Sequence, residues 1–196
     1  MENHQIFVIE HLQTSAAVKN QIAETMVEDI IKAANILCTR IKAGNKILLC
    51  GNGGSAADAQ HIAAEMVVRL KSTFDRPAIP ALALTVDSSI LTAGANDYGF
   101  DTVFSRQLEA LANPGDILIA ISTSGNSRNI ILALEQAKLK GIASIGLLGG
   151  DGGKMKKLID YPLIIPSTVT AHIQESHITI GHILCDIIEQ ELFGEE

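Results

Sequence analysis

Apolar residues recur at helical spacing through the first 43 positions: Val18, Ile22, Met26 and Ile30, then Ala33, Ala34, Leu37 and Ile41. No Pro or Gly interrupts that stretch, and Gly44-Asn45 ends it as a C-cap would. The spacing predicts an N-terminal helical segment over 1–43, whose long mixed faces suit core packing or a subunit interface. From Lys46 the pattern changes. Short apolar runs near 46–50, 79–84, 116–121, 142–147 and 161–165 alternate with helical patterns beginning near Ser55, Asp87, Asn126 and Gly152. A last helix is expected from Thr170 to about Leu192. This is the rhythm of strand–helix–strand units in a parallel sheet. Several strands are apolar throughout rather than alternating, as expected when helices cover both faces. The expected fold is α/β: a three-layer α/β/α sandwich around a five-stranded parallel sheet, plus the N-terminal helices. No repeat, low-complexity tract or linker divides the chain, so 1–196 reads as a single domain.

Composition narrows the class. The 196 residues carry 15 Lys+Arg against 22 Asp+Glu, a net charge of −7, with 47% hydrophobic residues. That apolar content excludes a mainly disordered chain. The acidic balance argues against nucleic acid as a partner, because phosphate backbones demand a basic face. No apolar run approaches the roughly 18 residues of a membrane span. Met1-Glu2-Asn3-His4-Gln5 lacks the basic start of an export signal, so no membrane association or export is expected. Cys38, Cys50 and Cys185 are widely spaced among apolar neighbours and read as buried free thiols in a reducing cytoplasm.

The candidate chemistry lies where strands run into helices. The first strand ends in Gly51-Asn52-Gly53-Gly54-Ser55, whose glycines allow close backbone approach and whose N–H groups offer donors to an anion. Gly51, Gly53 and Ala56 match a GxGxxA dinucleotide pattern, yet Asp75 precedes the second strand and Asp87 follows it too late for a ribose acid. The third strand ends in Ser122-Thr123-Ser124-Gly125-Asn126-Ser127. Four hydroxyls exceed what an N-cap needs, and such a loop at a helix N-terminus suits a phosphate monoester.

His61 and Glu65, four residues apart, share one helix face. The last helix adds His172, Gln174, Glu175, His177 and His182 in an Ile/Leu setting. Imidazole with carboxylate suits zinc or a similar divalent ion. Gln174 and His182 stand about 12 Å apart along an ideal helix, so they reach one ion only by leaning together or across a subunit boundary. Lys154, Met155, Lys156 and Lys157 read as a solvated helix face, and His4 and His11 as surface or interface positions.

Gly51 to Ser55, His61 with Glu65, Arg69, Asn96-Asp97-Tyr98-Gly99-Phe100, Ser122 to Ser127, and Ile173-Gln174-Glu175 followed by His182 together resemble the phosphoheptose isomerases, which are sugar isomerase (SIS) domain proteins of flavodoxin-like topology. The resemblance runs over essentially the whole chain. It implies conversion of sedoheptulose 7-phosphate to D-glycero-D-manno-heptose 7-phosphate, the entry step to ADP-heptose for lipopolysaccharide cores. It also implies a cytoplasmic homotetramer with one zinc ion per site, held by His61, Glu65, Gln174 and His182. Glu65 resembles the family's base and His182 its acid. Asn52, Gly53, Gly54, Ser55, Glu65, Arg69, Asn96, Asp97, Ser122, Thr123, Ser124, Ser127 and Gln174 are placed against the substrate. Some members carry an Asp where this chain has Ala171, which bears on sugar specificity. Two rival readings share the fold: a non-catalytic regulator that binds the replication initiator DnaA, and an isomerase of another phosphosugar. The regulator lacks the base and acid that Glu65 and His182 supply here.

Overall fold

The computed structural model describes residues 2–194. Met1 and the last two residues of the 1–196 span lie outside the described residues. Two helices, α1 (Glu2–Thr25) and α2 (Val27–Lys42), precede β1 (Ile47–Cys50), α3 (Gly54–Val67), β2 (Ala81–Ala83), α4 (Ser88–Tyr98) and α5 (Val103–Leu111). Then follow β3 (Ile117–Ser122), α6 (Arg128–Leu139), β4 (Ala143–Gly149), β5 (Tyr161–Ile165) and α7 (Thr170–Phe193). The five strands are parallel in the order β2-β1-β3-β4-β5.

Alternation along the strands sends side chains into two separate cores. Ile47, Leu49, Ile117, Ile119, Ile145 and Leu147 pack with α1, α2, α3 and α7 on one face. Leu48, Cys50, Leu118, Ala120 and Leu148 pack with α5 and α6 on the other. Every residue of β1 and β3 is buried, which is why neither strand shows a polar alternation. The expected three-layer sandwich is therefore the observed fold. Among the described residues no helix is long and apolar enough to cross a membrane. All three cysteines are buried free thiols.

Some boundaries differ from expectation. The N-terminal segment is two helices meeting at Met26, with no Pro or Gly at the joint. The helix expected near Asp87 is α4, with Asp87 as its N-cap, the side chain accepting the Ile90 N–H at 2.8 Å. That helix stops at Gly99 (φ 85), and a separate helix, α5, follows. No helix starts near Gly152; the segment holds only a 3-10 turn, Met155–Lys157. Gly150, Gly152 and Gly153 have φ of 63, 82 and 54, outside helical space. Instead the segment folds onto the loop after β3, the Met155 N–H donating to the Gly125 carbonyl at 3.0 Å. Met155 is buried beneath it, so only its lysine neighbours are solvated.

Candidate active site

With the strand order 2-1-3-4-5 the chain reverses direction between β1 and β3, and in such sheets ligands settle outside the carboxyl ends of the strands at that switch point. The two loops singled out from sequence leave from these strands. A reciprocal amide pair ties them: Asn52 Nδ2 donates to Asn129 Oδ1 at 2.9 Å, and Asn129 Nδ2 to Asn52 Oδ1 at 2.8 Å. Asn129 is buried and was not anticipated from sequence. Its signal was a polar residue on the inward face of an otherwise apolar helix.

Both loops leave helix N-terminal N–H groups without a side-chain cap. Gly53 precedes α3 at φ 56, ψ −121, a conformation that side-chain-bearing residues rarely adopt. Ser127 stands at the N-cap of α6, yet its hydroxyl caps nothing; it lies 3.2 Å from Ser122 Oγ, which also accepts the Gly125 N–H at 3.2 Å. Ser124 Oγ accepts the Asn126 N–H at 3.2 Å. Among the described residues the Thr123 and Ser55 hydroxyls have no hydrogen-bond partner in the chain; Thr123 is part-exposed and Ser55 is buried. Uncapped N–H groups, turn hydroxyls and two helix dipoles can cradle an anion here, and the loops Gly51–Ser55 and Ser122–Ser127 themselves carry no Lys or Arg.

The helices leading from and past this cradle are α3 and α7, and they run parallel. At the start, Gln174 lies on Gly54: a methyl built there would stand 2.5 Å from Gln174 Cδ and 2.6 Å from Oε1. Two turns along, His61 Nε2 and His182 Nε2 are 2.9 Å apart. Glu65 Oε1 is 3.3 Å from His61 Nε2. Gly181 fits against Ile62 at this level, a Cβ there standing 2.6 Å from Ile62 Cδ1. The structure therefore brings His61, Glu65 and His182 together, with His61 as the shared neighbour. It keeps Gln174 on the glycine loop.

The remaining sequence candidates make no hydrogen bond to the His61 cluster or the two loops among the described residues. Asn96 and Asp97 end α4, exposed and hydrogen-bonded to each other at 2.7 Å. Arg69 is exposed and lies beyond the end of α3 at Val67, not a helical turn past Glu65. Glu175, next to Gln174 in sequence, faces away. It accepts the Ser15 hydroxyl at 2.5 Å and stands 3.7 Å from both Lys19 Nζ and His11 Nε2. His172 packs its buried ring 4.5 Å from that of His11. His177 is buried with Nε2 3.0 Å from the Leu148 carbonyl, and burial pushes its pKa down to about 4. These two imidazoles serve the packing of α7 rather than the His61 cluster. Burial also raises Asp58, one turn before His61, to about 6, with its Oδ2 unpartnered.

The SIS domain family model matches residues 10–149. The phosphoheptose isomerase of Akkermansia muciniphila is 55% identical over 87% of this chain and 89% of its own length. That of Leptospira biflexa is 51% identical over 97% of this chain and 98% of its own. The solved phosphoheptose isomerase of Neisseria gonorrhoeae superposes with a TM-score of 0.89 at 44% identity, covering 95% of this chain and 98% of that one. The enzyme of Francisella tularensis gives 0.92 at 38% identity, over the same shares of the two chains. Sequence and backbone agree over nearly the full length, and the chain belongs to the phosphoheptose isomerase family of SIS-domain proteins.

Proposed function

We propose that this sugar-phosphate isomerase converts D-sedoheptulose 7-phosphate to D-glycero-D-manno-heptose 7-phosphate. The observation that carries the reading is the meeting of Glu65 and His182 around His61, two turns along α3 from an uncapped anion cradle. An aldose–ketose exchange moves one proton between neighbouring carbons through an enediol, so it needs a base at carbon and an acid at the oxygens. Glu65 takes the proton from one carbon and returns it to the next. His182 exchanges a proton with the substrate oxygens. The Ser122–Ser127 loop and the Gly51–Ser55 loop hold the phosphate at the far end, so the reacting carbons lie near the His61 cluster. Gln174 and Asn52 line the path between them.

His61, Glu65 and His182 are the residues that would hold zinc, with Gln174 as the fourth ligand. The donors are right in kind. Ligand atoms of a tetrahedral zinc site stand about 3.3 Å apart, close to the 3.3 Å and 2.9 Å separations around His61 Nε2. Among the described residues no group of three or more His, Cys, Asp or Glu side chains stands, as placed, where it could hold a metal ion. Completing one requires the Gln174 amide to swing from Gly54 toward His182, or a donor from a second subunit. A bound zinc would polarise the substrate carbonyl.

A cytoplasmic homotetramer is part of the same reading. Helix α4, which carries Asn96 and Asp97, has no buried residue. A helix of 11 residues needs packing to persist, and a second subunit laid on it would supply both that packing and a second wall for the site. On α1, Phe7, Leu12 and Ile9 are likewise exposed.

A zinc-supplemented assay of sedoheptulose 7-phosphate beside fructose 6-phosphate and ribulose 5-phosphate tests the substrate. Turnover of the heptulose alone supports the proposal. Turnover of only a shorter sugar moves it to another phosphosugar, and no turnover of any moves it to a non-catalytic regulator. Glu65→Gln is expected to keep the fold and sugar-phosphate binding while abolishing turnover; near-normal rates would remove Glu65 as the base.

A further inference from the structure

Helices α3 and α7 are joined a second time, beyond the His61 cluster, by Arg76 and Glu189. Both side chains are almost fully buried, 1% and 2% exposed, with Arg76 Nε donating to Glu189 Oε1 at 2.9 Å. The rest of the guanidinium serves the carbonyl end of α3. Nη2 donates to the backbone carbonyl of Glu65 at 2.7 Å, and Nη1 to those of Met66 at 2.8 Å and Pro77 at 3.0 Å. Glu189 Oε1 also accepts the Leu70 N–H at 2.9 Å. The Phe193 ring closes the cluster, 6.0 Å from the guanidinium carbon.

A buried ion pair is a poor device for stability alone, because desolvation consumes most of the attraction and well-packed apolar residues do as well. What it adds is direction. A planar fork donates along fixed lines, so Arg76 fixes where the last carbonyls of α3 stand relative to α7. Two features connect this to the chemistry. One of the carbonyls it holds belongs to Glu65 itself. On α7, Glu189 is two turns from His182 and so lies on the same face. Glu65 and His182 are thereby spanned by one rigid clasp: Glu65 backbone, Arg76, Glu189, α7.

We propose that Arg76, anchored by Glu189, is a positioning residue that sets the separation between Glu65 and His182. The inference rests on the isomerase reading of the site. The variants are Arg76→Lys, which keeps the charge without the fork, and the double variant Arg76→Met with Glu189→Leu, which replaces the pair by apolar volume. Each is compared with the native chain for thermal unfolding, for kcat and KM, and for zinc affinity by competition with a coloured chelator. The expected result is a folded chain whose melt is lowered by the Glu65 carbonyl, and in the double variant also the Leu70 N–H, losing its partner, with KM little changed, kcat lower by about tenfold or more, and zinc affinity weaker by about 10–100-fold, as for outer-shell groups elsewhere. Native kcat and native zinc affinity in the double variant would overturn the proposal, leaving the pair a fold element. If the double variant does not fold, Arg76→Lys decides by the same two readouts. If the native chain turns over no sugar phosphate, the isomerase reading fails, while loss of zinc affinity in a folded Arg76→Lys still supports the clasp and its retention overturns it.

Discussion

Gly54→Ala separates the stability of the glycine loop from its role at the site. Gly54 opens α3 without a left-handed φ, so alanine is conformationally acceptable there and improves helix propensity by up to about 1 kcal/mol. The new methyl would stand 2.5 Å from Gln174 Cδ and 2.6 Å from Oε1, whereas ordinary carbon contacts begin near ~3.5 Å. The methyl would overlap Gln174 Nε2, its nearest neighbour, outright, so the amide must retreat by about 2 Å. It sits at the end of a long, flexible side chain, so the backbone need not follow. Thermal unfolding should stay within about 4 °C of native in either direction. Catalysis should not survive as well, since an amide moved by about 2 Å from the substrate-facing place it holds on the glycine loop costs about 10–100-fold in kcat/KM. The assay is the heptulose isomerase rate beside a thermal melt, with Gln174→Ala as the reference. If Gln174→Ala is impaired while Gly54→Ala runs at the native rate, Gln174 acts from somewhere other than the glycine loop. A fall in melting temperature of 10 °C would show that more than a flexible amide had been displaced.

Two other outcomes follow from burial. His177, held near a pKa of about 4 against 6.5 for a free imidazole, contributes stability that is complete above pH 6.5 and is lost as pH falls from 6.5 to 4, about 3 kcal/mol in all. Asp58 works in the opposite direction: raised from 3.8 to about 6, it stabilises at low pH and loses that contribution as pH rises through 6. The two offset between pH 4 and 6, so in denaturant melts a folded His177→Gln variant should gain less stability than the native chain as pH rises across that window, with the lowered carboxyls of Asp116, Glu175 and Asp186 contributing alike to both; equal pH slopes would refute the assignment. Cys50 and Cys185, their thiols pushed up to about 12 by burial, should resist a thiol reagent at neutral pH in the native chain and react on unfolding, and rapid native labelling of either would contradict the packing.

What the sequence revealed, and what it hid, follows the range of the interactions involved. Ile117 to Ile121 read as a buried strand because every position is apolar, and the two phosphate loops read as sites because their turn chemistry is local. Asp58 carries no local sign of burial; the packing of α3 is what buries its carboxyl. The metal set was legible in part. Spacing of four residues put His61 beside Glu65, but only the parallel course of α3 and α7 brings His182, 121 positions away, to His61. The same course separates Gln174 from the cluster by two turns. It also turns the adjacent Glu175 toward Ser15, because neighbours on a helix point about 100° apart. Arg76 and Glu189 pair across 113 positions, which no local periodicity can announce. The helix expected near Gly152 went with reading Lys154 to Lys157 as a solvated helix face, where left-handed glycines had already ended the option.

A chain of net charge −7 has no broad field with which to draw in a phosphate monoester, so its recognition has to be short-ranged. The loops show how that is arranged and what it costs. Ser127 has the right side chain and position to cap α6, and a capped helix would be more stable by about 1 kcal/mol. Its hydroxyl instead faces Ser122, leaving the first-turn N–H groups of α6 without a side-chain acceptor. Gly53 offers α3 no side chain at all. Two neighbouring helices at one switch point therefore forgo their own caps, and in the proposed function a substrate phosphate would supply the missing acceptor. The amide pair of Asn52 and Asn129 ties the two loops to each other, which fits the proposal that one phosphate would meet both. Uncapped ends at the same crevice, clasped to each other, are the physical form that anion specificity takes in an acidic protein.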